Sequence, residues 1–272
     1  MADILVTGGT GLVGSRLLRR FAADGLDCRG LVRPGRELPA GVETAEGDVL
    51  APDTLGDALA GVSAIIHLAA SFRSGNEAET WAVNLTGTQN LLRAALTHAP
   101  DARFLMASTG NVYDADADHP AREDDPVHPV LAYPASKVRA EEEVRASGLT
   151  WSILRLPFVY GDGDGHLEAA PRMMAQRARH PAHRMSVAHH ADVARAFALG
   201  LTGVMDGLTV NIADEAPPTI YEIAQIVGET YPPSSEPLTD PWQLHMDASL
   251  ARRLGFRPTV RTVHQAVAEN LL

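Results

Sequence analysis

The chain has 272 residues, 45% of them hydrophobic, enough for one large domain or a main domain with a small appendage. With 34 acidic against 23 basic side chains its formal charge is -11, which sets it against nucleic acid and anionic membrane surfaces as partners. A single cysteine, Cys28, excludes an internal disulfide, and no apolar run reaches the ~18 residues of a membrane span.

The start, MADILVTGG, enters an apolar strand without the basic and long apolar segments of an export signal, so the expected location is the cytoplasm. Short β-rich apolar runs then alternate with longer amphipathic stretches. Residues 4–7, 29–32, 64–68, 103–107 and 150–154 read as strands, and residues 12–23, 81–96 and 136–146 carry helical periodicity. Gly25 and Gly148 follow periodic segments as C-terminal caps do. This alternation predicts an α/β, Rossmann-type doubly wound parallel sheet with helices on both faces.

Beyond Gly161 the order loosens. A Gly/Asp stretch is followed by Met-, Arg- and His-rich residues to Arg184 that read as loop and broken helix. Helices are expected near 192–201 and 220–229, a strand at 208–212, and a last helix from about Val260. The expected organisation is a dinucleotide-binding domain, 1–160 with about 186–213, and a small C-terminal substrate lobe, 161–185 with 214–272.

Thr7-Gly-Gly-Thr-Gly-Leu-Val-Gly14 follows the first strand and opens a helix. Glycine is required where backbone approaches a pyrophosphate, and the helix N-terminus offers unpaired N–H groups, so Gly8, Thr10, Gly11, Leu12, Val13 and Gly14 are expected to hold a dinucleotide. Where such a site usually presents a carboxylate to the adenosine ribose, this chain has Arg33, with Arg36 in the following loop. A guanidinium suits a 2′-phosphate, so NADP(H) is expected over NAD(H). Asp48, with Val49 beside it in Gly47-Asp-Val49, either contacts the adenine or forms a turn.

Tyr133-Pro-Ala-Ser-Lys137 opens a helical stretch, which puts Tyr133 and Lys137 one turn apart on one face. A cation there would draw the phenol down from about 10 toward neutrality and fit it for proton transfer. With the phosphate-binding turn upstream, the chain resembles the extended branch of the short-chain dehydrogenase/reductase superfamily. The resemblance rests also on His67-Leu-Ala-Ala70, Val83-Asn-Leu-Thr-Gly-Thr88, Ser108-Thr-Gly-Asn-Val-Tyr113, Leu154-Arg-Leu-Pro-Phe-Val-Tyr-Gly161 and His189-His-Ala-Asp192.

The resemblance implies a catalytic set of Asn84, Thr109, Tyr133 and Lys137. Thr109 would bond the substrate oxygen, Lys137 would also hold the nicotinamide ribose, and Asn84 would serve a water relay through its backbone. Leu68, Ala69 and Ala70 would line the cofactor's middle, with Pro157 and Phe158 beside the nicotinamide. Read without the family, Asn84 is equally a helix-interior polar residue and Thr109 a hydroxyl capping its own loop. Phe72 and Arg73, with Ser71 beside them, and the residues from Tyr160 through Arg177, among them Met173 and Met174, are expected to face the substrate, which points to an apolar or aromatic ketone or aldehyde, with or without one acidic group.

Two departures stand out: Asp114 follows Tyr113 where the family commonly has glycine, and Met185 occupies the place where sugar-nucleotide enzymes carry an arginine, with Arg184 one position off. The histidines between 166 and 190 lie on irregular chain, so no metal is expected, and His189 is assigned a structural hydrogen bond. The leading expectation is an NADP(H)-dependent carbonyl reductase or alcohol dehydrogenase with Tyr133 as general acid/base. The alternatives are a nucleotide-sugar epimerase or dehydratase with bound NAD, and a non-catalytic NADP-binding sensor or scaffold. The expected partner is a small carbonyl or alcohol, and any self-association would give a homodimer.

Overall fold

A computed structural model describes residues 3–72, 75–114 and 116–272; Arg73, expected against the substrate, lies outside them. In chain order the elements are β1 (Ile4–Thr7), α1 (Leu12–Ala23), β2 (Cys28–Val32), β3 (Glu43–Glu46), α2 (Gly56–Leu59), β4 (Ala64–His67), α3 (Glu77–Trp81), α4 (Gly87–His98), β5 (Arg103–Thr109) and α5 (Ala132–Ala146). They continue with β6 (Trp151–Leu156), β7 (Phe158–Tyr160), α6 (His166–Gln176), β8 (Val187–His189), α7 (His190–Leu201), β9 (Leu208–Asn211), α8 (Ile220–Ile226), α9 (Ser249–Arg253) and α10 (Val263–Ala268).

Among the described residues, seven parallel strands form one sheet in the order β3-β2-β1-β4-β5-β6-β9, and β7 pairs with β8 in a separate parallel pair. The chain therefore winds outward from β1 in both directions. The crevice beyond the C-terminal ends of β1 and β4 is the switch point, where open α/β sheets bind ligands.

Side-chain alternation along each strand feeds two cores. Ile4, Val6, Ile66, Leu105 and Leu154 face α1 and α7, where Leu17, Phe21, Val193 and Phe197 are buried. Leu5, Ile65, Phe104 and Ile153 face the other way, onto Leu59, Leu91 and Val144 from α2, α4 and α5. A third cluster, including Leu167, Met174, Val187, Ile223 and Val263, gathers α6, α8 and α10 around the β7–β8 pair.

Local rules account for the boundaries. Gly25, at φ +74, ends α1 in a Schellman motif: its N–H donates to the Ala22 carbonyl and that of Leu26 to Phe21. Pro134 sits in the first turn of α5, where no intrahelical N–H bond is lost. The stretch read as broken helix instead forms α6, with Pro171 inside it. Leu167, Ala170, Pro171 and Met174 share its buried face, and burying that stripe outweighs the bond that proline forgoes.

Gly8 and Gly14 are fixed by contact. Gly8 has φ +73 and lies against the Leu68–Ala69 backbone, while a Cβ on Gly14 would strike the Gly8 carbonyl. Gly14→Ala is therefore expected to weaken dinucleotide binding at least tenfold and to cost roughly 1–3 kcal/mol of stability. Gly25→Ala, with nothing within 4 Å of its Cβ, should cost about 1 kcal/mol from backbone strain and spare binding. Thermal unfolding and cofactor titration of both variants check this, and equal binding by the two would contradict the close approach.

Candidate active site

The switch-point crevice holds a cavity of about 330 Å³ whose walls include Gly8, Gly11, Leu12, Val13, Gly14, Leu68 and Ala70. Gly11 begins α1 without a side-chain cap, so the N–H groups of the first turn stay available to an anion, and the dipole favours one there. This cradle, too tight for a Cβ, fits a dinucleotide pyrophosphate. Thr10 lines a separate cleft with Ser15, Arg19 and Glu37, and Arg33 is exposed just past β2.

Asp48 and Val49 stand apart from the cavity walls. The Asp48 carboxylate accepts from the Leu50 N–H at 2.9 Å in a local turn. Val49 is buried and its carbonyl accepts from Asn90 Nδ2 at 2.9 Å. Ala69, likewise outside the walls, donates its N–H to Thr7 Oγ1 at 3.2 Å.

Thr109 ends β5, and Tyr133 and Lys137 stand on α5; all three reach the cavity. The Thr109 hydroxyl hydrogen-bonds the Tyr133 phenol, whose ring packs on Phe72 at 4.4 Å between centroids. Burial pushes the Tyr133 hydroxyl up to about 12, against the smaller effect of the Thr109 bond. This reverses the expected lowering. The same burial brings Lys137 down to about 8, against the pull of Glu141, so the lysine is driven toward neutrality as well.

Asn84 lies at the π-helical join between α3 and α4 and acts through its amide. It accepts from the Ser71 N–H at 2.8 Å and donates to the Ser71 carbonyl at 3.2 Å and to Ser136 Oγ at 3.0 Å. Its carbonyl, the atom expected to serve a water relay, accepts the Thr88 hydroxyl at 2.7 Å. Ser136 in turn donates to the Tyr133 carbonyl at 2.8 Å.

Below Lys137 on α5, Glu141 is held by Arg155 at 2.8 Å and accepts from Ser108 Oγ at 2.5 Å. Burial raises its carboxyl, but the Arg155 and Ser108 bonds and the Arg145 charge outweigh burial and hold it below the ordinary range.

Phe72, Pro157, Phe158, Met173 and Met174 line the cavity. Ser71 is taken up by Asn84, outside the walls. Tyr160 is a correction: fully buried in the third core with its ring edge-on to His189, it turns away from the cavity. Met185, Leu244 and Met246 also line it and were not among the expected substrate contacts, whereas His166 and Arg177 lie within the segment expected to face the substrate and do line it. His166 stacks on Phe158 at 4.3 Å, but Met185, Leu244 and Met246 come from irregular chain with no local signal. Met246 is brought in by its N–H bond to Ser186 Oγ at 2.9 Å.

Met185 is buried, whereas Arg184 is exposed and donates to the Pro217 carbonyl at 3.0 Å. Asp114, which replaces the family's glycine, accepts from His128 Nδ1 at 2.9 Å. His189 caps α7 through Nδ1 and bonds the Leu271 carbonyl through Nε2. His190 bonds Asp164 at 2.8 Å. Among the described residues no group of three or more His, Cys, Asp or Glu side chains is placed to hold a metal.

The profile of the NAD dependent epimerase/dehydratase family matches residues 4–213, and the chain belongs to that family. It is similar end to end to a dTDP-6-deoxy-L-talose 4-dehydrogenase (NAD(P)(+)) from Kitasatospora kifunensis, at 27% identity over 98% of this chain and 94% of the relative. A 4-hydroxy-2-methyl-3-oxo-4-farnesyl-3,4-dihydroquinoline-1-oxide ketoreductase from Stigmatella aurantiaca is 29% identical over 58% of this chain and 51% of its own length. The fold superposes on a short-chain dehydrogenase/reductase superfamily protein from Agrobacterium tumefaciens with bound NAD, with a TM-score of 0.81 and 25% identity over 98% of this chain and 95% of that one.

Buried Lys137 is a burden on stability. Lowering from 10.5 to about 8 corresponds to about 3 kcal/mol against folding at pH 7. Between pH 8 and 10.5 the unfolded chain holds more protons on this group, so stability rises with pH there and the full burden lies below pH 8. Relative to the parent, Lys137→Met should gain most below pH 8 and lose that advantage toward pH 10.5. Denaturant midpoints across this range test it; a difference that does not change with pH would contradict the burial of a titrating lysine.

Proposed function

We propose that this chain is an NADP(H)-dependent carbonyl reductase or alcohol dehydrogenase acting on an apolar or aromatic substrate. One observation carries the reading: the cavity beside Tyr133 is walled largely by Phe72, Met173, Met174, Met185, Leu244 and Met246, and the family resemblance puts Met185 where sugar-nucleotide enzymes carry an arginine. The similarity to a ketoreductase supports it. For the phosphorylated cofactor, the support is Arg33, exposed just past β2 with no acid at the strand end itself, while Glu37 lines the cleft beside Thr10. We place its work in the cytoplasm, on a small molecule; its charge of -11 disfavours nucleic acid and anionic membranes, and among the described residues no helix is long and apolar enough to cross a membrane.

When bound, the reduced nicotinamide supplies a hydride. The chain's own residues do the rest. The glycine turn and the first turn of α1 bind the pyrophosphate, Lys137 holds the ribose hydroxyls, and Thr109 donates to the substrate oxygen. Tyr133, kept protonated by its burial, gives that oxygen its proton as negative charge develops. The apolar walls keep water from competing for these bonds.

A second reading, oxidation of a nucleotide-bound sugar, is favoured by the end-to-end similarity to the talose dehydrogenase. A purely NADP-binding scaffold is disfavoured, because Thr109, Tyr133 and Lys137 converge on one cavity.

A panel of aryl and alkyl ketones and aldehydes, followed by loss of NADPH absorbance, tests the proposal. Turnover is expected with NADPH at lower KM than with NADH, and Arg33→Asp should narrow that gap. Tyr133→Phe and Thr109→Ala should lose roughly 100- to 10,000-fold in kcat while NADPH binding, measured by fluorescence titration, is kept. Turnover by Tyr133→Phe within a fewfold of the parent would contradict the assignment.

A further inference from the structure

A second hollow, of about 480 Å³, continues outward from the first, and the two share Phe72, Tyr133, Met174, Arg177, Leu244 and Met246. A molecule with its carbonyl at Tyr133 can thus extend past the methionines toward an outer wall. That wall carries Trp242, packed at 5.5 Å on His245, and two arginines, Arg177 and Arg179.

Several arginines of the chain are matched by an acid, and these two are not. Arg172 pairs with Glu229 at 2.7 Å, Arg261 with Glu215 at 2.6 Å and Arg103 with Asp206 at 3.2 Å. Among the described residues neither Arg177 nor Arg179 makes an ion pair, although acids outnumber bases 34 to 23. The Arg179 guanidinium donates to neutral Gln243, and its Nε is buried without a hydrogen-bond partner. Arg177 lies close enough to repel it, an effect larger than the attraction of Asp240. The carboxylate on the same wall, Asp114, is engaged by His128.

The backbone shows the same bias. Arg177, Ala178 and Arg179 close α6 in a Schellman motif, with Ala178 N–H on the Ala175 carbonyl and Arg179 N–H on Met174. The left-handed position, at φ +50, is held by alanine where glycine is free of strain. The strained turn thus sets two arginines without ion pairs against one hollow.

We propose that Arg177 and Arg179 form a subsite for an oxyanion carried by the substrate at the end remote from its reacting carbonyl. Resting on the reductase reading, this narrows the substrate class to amphipathic oxo acids with an apolar or aromatic body and one terminal acidic group, a carboxylate being the chemistry probed. Planar guanidinium forks match carboxylate oxygens, and an anion between them relieves their repulsion.

The test uses ω-oxo-ω-phenylalkanoic acids of increasing chain length and their methyl esters, titrated calorimetrically into the NADP+-loaded protein and assayed for turnover with NADPH. At the best chain length the acid should bind about tenfold more tightly than its ester, with a preference that shrinks as salt rises. Arg177→Gln with Arg179→Gln should collapse the acid-over-ester ratio toward one. The paired lysine variant should restore part of it, and Arg172→Gln should keep it in full. NADPH titration and thermal unfolding of each variant show that the fold persists.

Equal binding of acids and esters at every length, or a preference that survives the double glutamine variant, would overturn the subsite. Arginine-dependent binding of acids without turnover of any ketone would uphold the subsite and remove the reductase reading. Turnover without acid preference would do the reverse.

Discussion

Buried polar groups must find partners inside the protein, and in this chain that constraint ties the glycine turn after β1 to α5. Thr7, at the end of β1, bonds His67 Nδ1 at 2.7 Å; His67 Nε2 bonds Thr88 at 2.9 Å. Thr88 gives its proton to the Asn84 carbonyl, and the Asn84 amide reaches Ser136, which bonds the Tyr133 carbonyl. The direction of the line is determined. Because the Thr88 proton is committed, His67 must donate from Nε2 and accept at Nδ1 from Thr7, whose oxygen takes the Ala69 N–H. Burial, aided by the Lys137 charge, lowers His67 to about 3, so it stays in this neutral tautomer. Breaking one link would leave an unsatisfied buried group at the next.

The same dryness sets the chemistry. Burial pushes Tyr133 up to about 12, which keeps the phenol protonated, and Lys137 down to about 8, which still leaves its ammonium charged at neutral pH. A proton held on Tyr133 suits a step in which a carbonyl oxygen gains negative charge, and hydrogen bonds to that oxygen are strongest where water is excluded. Glu141 and Arg155 carry opposite charges that pair at the foot of α5.

Legibility in the sequence followed how local the determining physics was. The turn from Thr7 to Gly14 could be read because Gly8, Gly11 and Gly14 answer to a backbone contact within a few residues or to the chain just past β4. Gly25 and the Tyr133–Lys137 pair could be read for the same reason, their rules operating within one helical turn. The edge strand β3 has no apolar run, since Glu43, Thr44 and Glu46 are exposed, and it exists by pairing with β2. Pro171 and the surrounding charges hid α6, whose stability comes from packing rather than propensity. In the site, Tyr160 follows Phe158 on β7, yet its ring closes the lobe core. Met185, Leu244 and Met246 enter through contacts such as Ser186 to Met246, separated by 60 residues, which no local pattern announces. The phenol's shift was misread because a lysine neighbour is visible in sequence, whereas the desolvation that overrides it appears only in the fold.

The account stands or falls on whether an apolar wall at Met185 has replaced a diphosphate clamp. Calorimetric titration of the NADP(H)-loaded protein with UDP-glucose and dTDP-glucose asks this directly. The account predicts that any binding is left unchanged by Arg184→Ala, because Arg184 is turned to the Pro217 carbonyl and Met185 lines the cavity beside Tyr133. Micromolar binding of either sugar nucleotide that Arg184→Ala abolishes, while Arg177→Gln with Arg179→Gln leaves it, would contradict it.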